Sequence, residues 1–279
     1  MKHRQPRVLI VTGYGVNCEA ESAYAWELAG ARPVKMHLND LLAAPRQLDR
    51  YQALMFIGGF SFGDHMGSGH VLALRWRHCL RDELCRFLAR GRLALGICNG
   101  FQVMVKLGLL PGLNAGKHAA AQPGAHACRL EQQAALTHNQ GGVFQNFWVT
   151  IRFDPRSPCV FTRGLDRMDI PIRHGEGRLY APAPGLLDAL ERRSCIPCRY
   201  AHPRTGRPTM RYPHNPNGSQ RAIAGLCSRD GRVFGMMPHP EAYLFPENHP
   251  QWPRQKLAGT LPHHGAGLAV FKNAVDYLQ

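Results

Sequence analysis

Short apolar runs, each closed by glycine and followed by a helix-spaced segment, constrain this chain more than any other feature. Arg7-Val-Leu-Ile-Val-Thr12 is apolar and β-branched and stops at Gly13-Tyr-Gly15, the pattern of a parallel strand buried on both faces. Residues Glu19 to Gly30 place Ala, Trp26, Leu28 and Ala29 at helical spacing, with Gly30 as a stop. Ala31 to Met36 and Tyr51 to Ile57 read as further strands, the latter ending on Gly58-Gly59. Val71 to Arg90 reads as one long amphipathic helix, Arg92 to Ile97 as a strand and Gly100 to Leu109 as a helix. This alternation predicts an α/β protein: a flavodoxin-like, open, mostly parallel sheet with helices on both faces. Sites in such sheets lie at the carboxyl ends of strands, which directs attention to Gly58-Gly59 and Cys98.

The second half reads mainly as strands: Val143 to Ile151, Asp169 to Arg173, Ile223 to Leu226 and Arg232 to Met237. Leu268 to Leu278 follows as a helix. Residues 112–133 lack periodicity and read as a surface excursion. No linker separates the halves, so residues 1–279 are expected to form a single domain.

Composition removes several classes of function. No run approaches the roughly 18 apolar residues of a membrane span, and Val8-Leu-Ile-Val11 is too short for a signal-peptide core, so a cytoplasmic protein is expected. Nine Cys at irregular spacing are no disulfide framework. The formal charge of +15 comes from Arg and Lys scattered singly or in pairs. With no basic block and no nucleic-acid motif, it reads as a basic surface that could face an acidic partner. Neither G-x-x-x-x-G-K-[ST] nor G-x-G-x-x-G occurs, so no nucleotide cofactor is expected in this chain.

Gly96-x-Cys98-x-Gly100, between an apolar strand and a helix, has the form of a nucleophile elbow. The small flanking residues permit a sharp turn, and the amide after the nucleophile can bind an oxyanion. A helix N-terminus favours the thiolate form of a cysteine, which is the nucleophile. Such a thiolate needs a histidine oriented by a carboxylate. Two segments have the form His-x-Glu, His174-Gly-Glu176 and His239-Pro-Glu241. Spacing alone barely separates them, although His239 follows a better core strand and Pro240 fixes the backbone between the pair. Cys195-Ile-Pro-Cys198, with His202 and Cys227, lacks the second matched pair of a zinc site, and no metal site is expected.

Taken in order, the segments resemble the class I glutamine amidotransferases, and within them the glutaminase subunits of phosphoribosylformylglycinamidine synthase. The resemblance rests on Gly15-Val-Asn-Cys-Glu19, Gly58-Gly-Phe-Ser-Phe-Gly-Asp64, Gly96-Ile-Cys-Asn-Gly-Phe-Gln102 and Leu109-Leu-Pro-Gly112. It continues through Pro171-Ile-Arg-His-Gly-Glu-Gly177, Asn215-Pro-Asn-Gly-Ser219, Ile223-Ala-Gly225 and Gly235-Met-Met-Pro-His-Pro-Glu241. It implies Cys98 as nucleophile, His239 as general acid/base and Glu241 as the carboxylate orienting it. It also implies an oxyanion hole from the Gly59 and Asn99 amides, with Gly58 and Gln102 at the substrate L-glutamine. His174 and Glu176 would line the pocket or the partner surface. The implied reaction releases ammonia to a separate synthetase subunit that holds the ATP and Mg²⁺ chemistry, with room for a small third subunit. That synthetase converts formylglycinamide ribonucleotide to the amidine in purine biosynthesis. The chain departs from the family at Ile57, Phe62 and Ala242, where Pro, Tyr and Arg are common. Two rivals are a class I amidotransferase serving another synthetase, or a cysteine hydrolase of similar fold, and a basic interaction module with a degenerate site. The Asn-Gly-Phe-Gln and Asn-Pro-Asn-Gly-Ser segments oppose the first, and the intact Cys98, His239 and Glu241 oppose the second.

Overall fold

The computed structural model describes residues 5–113 and 130–279. Most of the unperiodic stretch 112–133, and the first four residues of the basic N-terminus, lie outside the described residues. In chain order the regular elements are β1 (Arg7–Thr12), α1 (Glu19–Leu28), β2 (Arg32–His37), α2 (Leu38–Ala43), β3 (Ala53–Phe56), α3 (His70–Cys79), α4 (Arg81–Ala89), β4 (Leu93–Ile97) and α5 (Asn99–Leu107). They continue as β5 (Ala135–His138), β6 (Gln145–Phe153), β7 (Arg167–His174), β8 (Glu176–Tyr180), α6 (Leu186–Arg192), β9 (Cys198–Ala201), β10 (Ile223–Cys227), β11 (Val233–Met236), α7 (Trp252–Leu257) and α8 (Leu268–Leu278).

Nine strands form one sheet in the order β2-β1-β3-β4-β11-β10-β9-β6-β7. The pairs from β2 through β11 are parallel, and the pairs from β11 through β7 are antiparallel. The parallel part is the open α/β sheet expected from the sequence; of the second-half strands, β6, β7, β9, β10 and β11 extend it. Consecutive residues of a strand face opposite sides, and β3 shows how both faces are covered. Met55 receives the indole N–H of Trp26 from α1 at 3.1 Å, whereas Phe56 packs edge-on against Trp76 of α3 at 4.9 Å. Trp26 in turn meets Phe271 of α8. All four strand residues Ala53–Phe56 are buried. Among the described residues no helix is long and apolar enough to cross a membrane.

The single helix expected over Val71 to Arg90 is two. Leu80, fully buried, adopts φ −132° and ψ 12° and separates α3 from α4. A straight helix would carry α4 along the line of α3; the break redirects it so that Leu84 and Phe87 also reach the core. The hydrophobic spacing across the break is compatible with one helix, which is why the sequence does not reveal it. A second small sheet, β5 with β8, was also not anticipated. Its strands are short and carry exposed polar residues, so they have little periodicity to read.

β3, β4 and β11 are neighbours and parallel, with Phe56 opposite Gly96 and Ile97 opposite Met236. Their carboxyl ends therefore deliver Gly58-Gly59, Cys98 and His239 to one place at nearly one level. The turn at β4 is close-fitting. A Cβ on Gly100 would land on the Phe56 carbonyl oxygen, and one on Gly96 would strike Met104 of α5 and the Gly100 backbone. Gly100→Ala is expected to cost about 1–3 kcal/mol by overpacking. At about 2–4 °C per kcal/mol for a chain of this size, calorimetry should show Tm lowered by several degrees; an unchanged Tm would contradict the packing described.

Candidate active site

Cys98 sits between β4 and α5 with φ 51° and ψ −108°, a conformation that a residue with a side chain rarely adopts. Its amide donates to the Met236 carbonyl at 2.9 Å, which locks the turn to β11. The side chain projects from the sheet, and its Sγ lies 3.5 Å from the Arg173 carbonyl. Behind it runs α5, with no acidic residue in its first turn, so the positive end of the helix favours negative charge developing there.

His239 follows β11, and its amide donates to Pro171 of β7 at 2.9 Å. Its Nδ1 stands 2.6 Å from Glu241 Oε1, with both side chains almost wholly buried. Burial works against a charged imidazole, but the Glu241 carboxylate and then Cys98 outweigh it, and the His239 pKa stands well above 6.5. Two thiols, Cys98 and Cys18, act on the charge of this ring, although its Nε2 has no hydrogen-bond partner. Their surroundings separate the two. Burial pushes the Cys18 thiol up to about 11, with the Glu241 and Glu21 carboxylates adding to the effect, so at neutral pH Cys18 is a protonated and poor nucleophile. Cys98 alone stands on a strand-to-helix elbow.

Two segments come together beside that elbow. Asn99 is the first residue of α5, where an amide has no carbonyl of the same helix to bond. Gly59 (φ 128°) forms a bridge with Val16 that employs the amides of Asn17 and Phe60, donating to Gly58 and Gly15 at 3.2 and 2.8 Å, and leaves its own amide out. Only glycine fits there, because a Cβ would strike the backbone of Val16 and Asn17. The buried Asn99 side chain ties the two segments together. Its Oδ1 accepts from the Ser61 amide at 3.4 Å and its Nδ2 donates to Asp64 at 3.2 Å and to Gln102 Oε1 at 3.1 Å. Asp64 also accepts from Ser68 at 2.9 Å and from the Gly69 amide at 3.4 Å, and burial raises its pKa. Sequence reasoning assigned no role to Asp64 or to Cys18, although both lie in quoted motifs. The only signal was a carboxylate and a thiol inside loops that follow strands.

The two His-x-Glu segments, indistinguishable by spacing, are different objects. Glu176 does not hold His174; its Oε2 accepts from the Ser68 amide at 3.2 Å, and its carbonyl accepts from Gln102 Nε2. His174 instead pairs with Asn139, Nδ1 to Oδ1 at 3.1 Å. The Asn139 amide nitrogen is already committed to the Val143 and His174 carbonyls, so its oxygen must accept and His174 carries its proton on Nδ1. Burial, and then the charge of His239, lower the His174 pKa to about 3. Gln102 is buried and held at both ends, by Glu176 and Asn99. Gly58 lies where a Cβ would press on Cys18 Sγ at 3.0 Å and His239 Cε1 at 3.1 Å. Cys195, Cys198 and Cys227 are buried thiols away from this cluster.

Residues 5–278 match the CobB/CobQ-like glutamine amidotransferase domain. The phosphoribosylformylglycinamidine synthase subunit PurQ of Dehalococcoides mccartyi is 39% identical over 271 residues, 97% of this chain and 97% of that protein. Its namesake in Methanococcus maripaludis is 38% identical over 280 residues, 98% of this chain and 97% of that protein. Among solved structures, PurLQS from Thermotoga maritima superposes with a TM-score of 0.70 at 27% identity, over 99% of this chain and 100% of that one.

The two histidines should titrate in opposite ways. A folded-state pKa raised above 6.5 means that the His239–Glu241 pair stabilises the fold fully below that pH and loses its effect as pH rises through the raised value. A value lowered to about 3 means that His174 costs stability as pH falls from 6.5, because the unfolded chain takes up a proton that the fold refuses. In nitrogen-detected NMR of the imidazoles, Glu241→Gln should move the His239 midpoint down, and His174 should show no inflection between about pH 5 and 8. An unmoved His239 midpoint or a titrating His174 would contradict these assignments.

Proposed function

The chain belongs to the CobB/CobQ-like glutamine amidotransferase family, and we propose that Cys98, His239 and Glu241 carry out its reaction. The protein hydrolyses glutamine to glutamate and ammonia and supplies the ammonia to the synthetase subunit of phosphoribosylformylglycinamidine synthase. The observation that carries the assignment is one imidazole bonded at 2.6 Å to a buried carboxylate and facing the thiol of a strained strand-to-helix elbow.

The chemistry follows from those positions. The Cys98 thiolate attacks the side-chain amide carbon of glutamine, and the oxyanion that forms is bound by the Gly59 and Asn99 amides. His239, holding a proton through Glu241, gives it to the departing nitrogen as the C–N bond breaks. This leaves a thioester on Cys98 and free ammonia. Water, deprotonated by the now neutral His239, then cleaves the thioester to release glutamate. Gly58 and Gln102 hold the substrate side of the pocket, and His174 and Glu176 form the wall next to the partner.

The reading assigns the ATP and Mg²⁺ chemistry to the synthetase, where formylglycinamide ribonucleotide becomes the amidine, and it leaves room for a small third subunit in the assembly. The basic surface of this chain, +15 in formal charge, suits an acidic face on such a partner. Glutamate release should be measured for wild type and Cys98→Ala with the cognate synthetase present. Wild type is expected to turn over, and Cys98→Ala to fall by at least about 10⁴-fold. Glutamate release by Cys98→Ala at the wild-type rate would overturn the assignment of the nucleophile. Hydrolysis without conversion of the ribonucleotide would point to an amidotransferase serving another synthetase.

A further inference from the structure

Cys18 has no part in the hydrolysis, yet its thiol stands against the catalytic imidazole. It enters at the start of α1, at the end of the loop that follows β1, next to the ends of β3 and β4. Its Sγ, one ring nitrogen of His239 and one carboxylate oxygen of Glu241 lie within 4.8 Å of one another. Independently, His239 Nε2 and Glu241 Oε2 are buried polar atoms without a protein partner. Cys18 makes only a 3.5 Å contact with Asn17 Oδ1. Three donor side chains thus converge, two of them with a buried polar atom that no protein group satisfies, and the missing side chain of Gly58 leaves the approach between Cys18 and His239 clear.

We propose that Cys18, His239 and Glu241 form a binding site for a thiophilic divalent cation of the zinc class, and that its occupancy switches off glutamine hydrolysis. A sulfur, an imidazole and a carboxylate suit zinc, whereas magnesium and calcium take oxygen ligands. Donors on a tetrahedral zinc ion lie roughly 3.3–3.8 Å apart, given bonds of about 2.0–2.3 Å. The three groups therefore need close by only about an ångström, which side-chain rotation supplies. His239 and Glu241 exchange the proton between them for the ion, so their 2.6 Å hydrogen bond is given up on binding. Cys18 and the protonated His239 each release a proton to solvent on binding. Water or the Cys98 thiolate, the second sulfur at this ring, completes the shell. Bound in this way, His239 can neither give a proton to the leaving nitrogen nor take one from water. The inhibition rests on the triad proposed above; the binding does not.

Cobalt(II) is the probe for binding. Full-length Cys98→Ala protein, which lacks the nucleophile's sulfur, should develop a thiolate-to-cobalt charge-transfer band with one equivalent of cobalt, and zinc should abolish it. The band should be absent from Cys18→Ser/Cys98→Ala and from Cys18→Ala/Cys98→Ala, the latter keeping the apolar packing. In parallel, zinc should inhibit glutamine hydrolysis by the wild-type complex, with recovery on adding a chelator. Cys18→Ser should turn over normally without zinc and require at least about tenfold more zinc for the same inhibition. A band that survives the loss of Cys18, no band at all, or equal zinc sensitivity of wild type and Cys18→Ser would overturn the proposal. Absence of hydrolysis in every variant, with the cobalt band intact, would count against the triad and not against the metal site.

Discussion

The backbone turn at Cys98 is the constraint on which the rest of the site depends. A non-glycine residue at φ 51° and ψ −108° costs about 1–3 kcal/mol and persists only when its surroundings determine it completely. They do so here from three directions. The Cys98 amide is bonded to β11, Gly96 and Gly100 admit α5 and β3 to contact distances that no other residue would permit, and nearly every residue of α5 is buried. The packing of a whole helix thus offsets the strain of one residue. In return the thiol stands off the sheet edge with an unbonded helix amide beside it.

Around that turn the sheet does the assembling. Three adjacent parallel strands end together and bring Gly58-Gly59, Cys98 and His239 within reach, although about 180 residues of chain separate the first from the last. The antiparallel strands complete the enclosure, since Pro171 of β7 holds the His239 backbone and the Arg173 carbonyl approaches the thiol. Burial then sharpens the electrostatics. His239 and His174 share one desolvated region but differ in partner, a carboxylate for one and an amide oxygen for the other. One is consequently a held cation and the other a fixed neutral ring.

Much of this was legible in the sequence, for identifiable reasons. Buried parallel strands must be continuous apolar runs, so β1, β3 and β4 announce themselves, and an elbow needs small residues around its nucleophile, so Gly96-x-Cys98-x-Gly100 does too. What depends on distant partners was not legible. His174-Gly-Glu176 and His239-Pro-Glu241 have the same spacing, and only the position of Asn139, 35 residues away from His174, makes the first a tautomer lock instead of a catalytic pair. The break at Leu80 leaves the hydrophobic pattern intact, and the approach of Cys18 to His239 joins residues more than 200 positions apart. Asp64 is similar, its hydrogen bond to the Asn99 side chain joining residues 35 positions apart.

The central claim is that Cys98, and not the neighbouring Cys18, is the sulfur that attacks glutamine. A glutamine analogue with a diazoketone in place of the side-chain amide alkylates the attacking thiolate and stays bound. The assembled complex, treated with this analogue, should carry a single adduct in intact-mass measurement, and peptide mapping should place it on Cys98, with Cys18 unmodified. An adduct on Cys18, or equal labelling of the Cys98→Ala chain, would contradict the account.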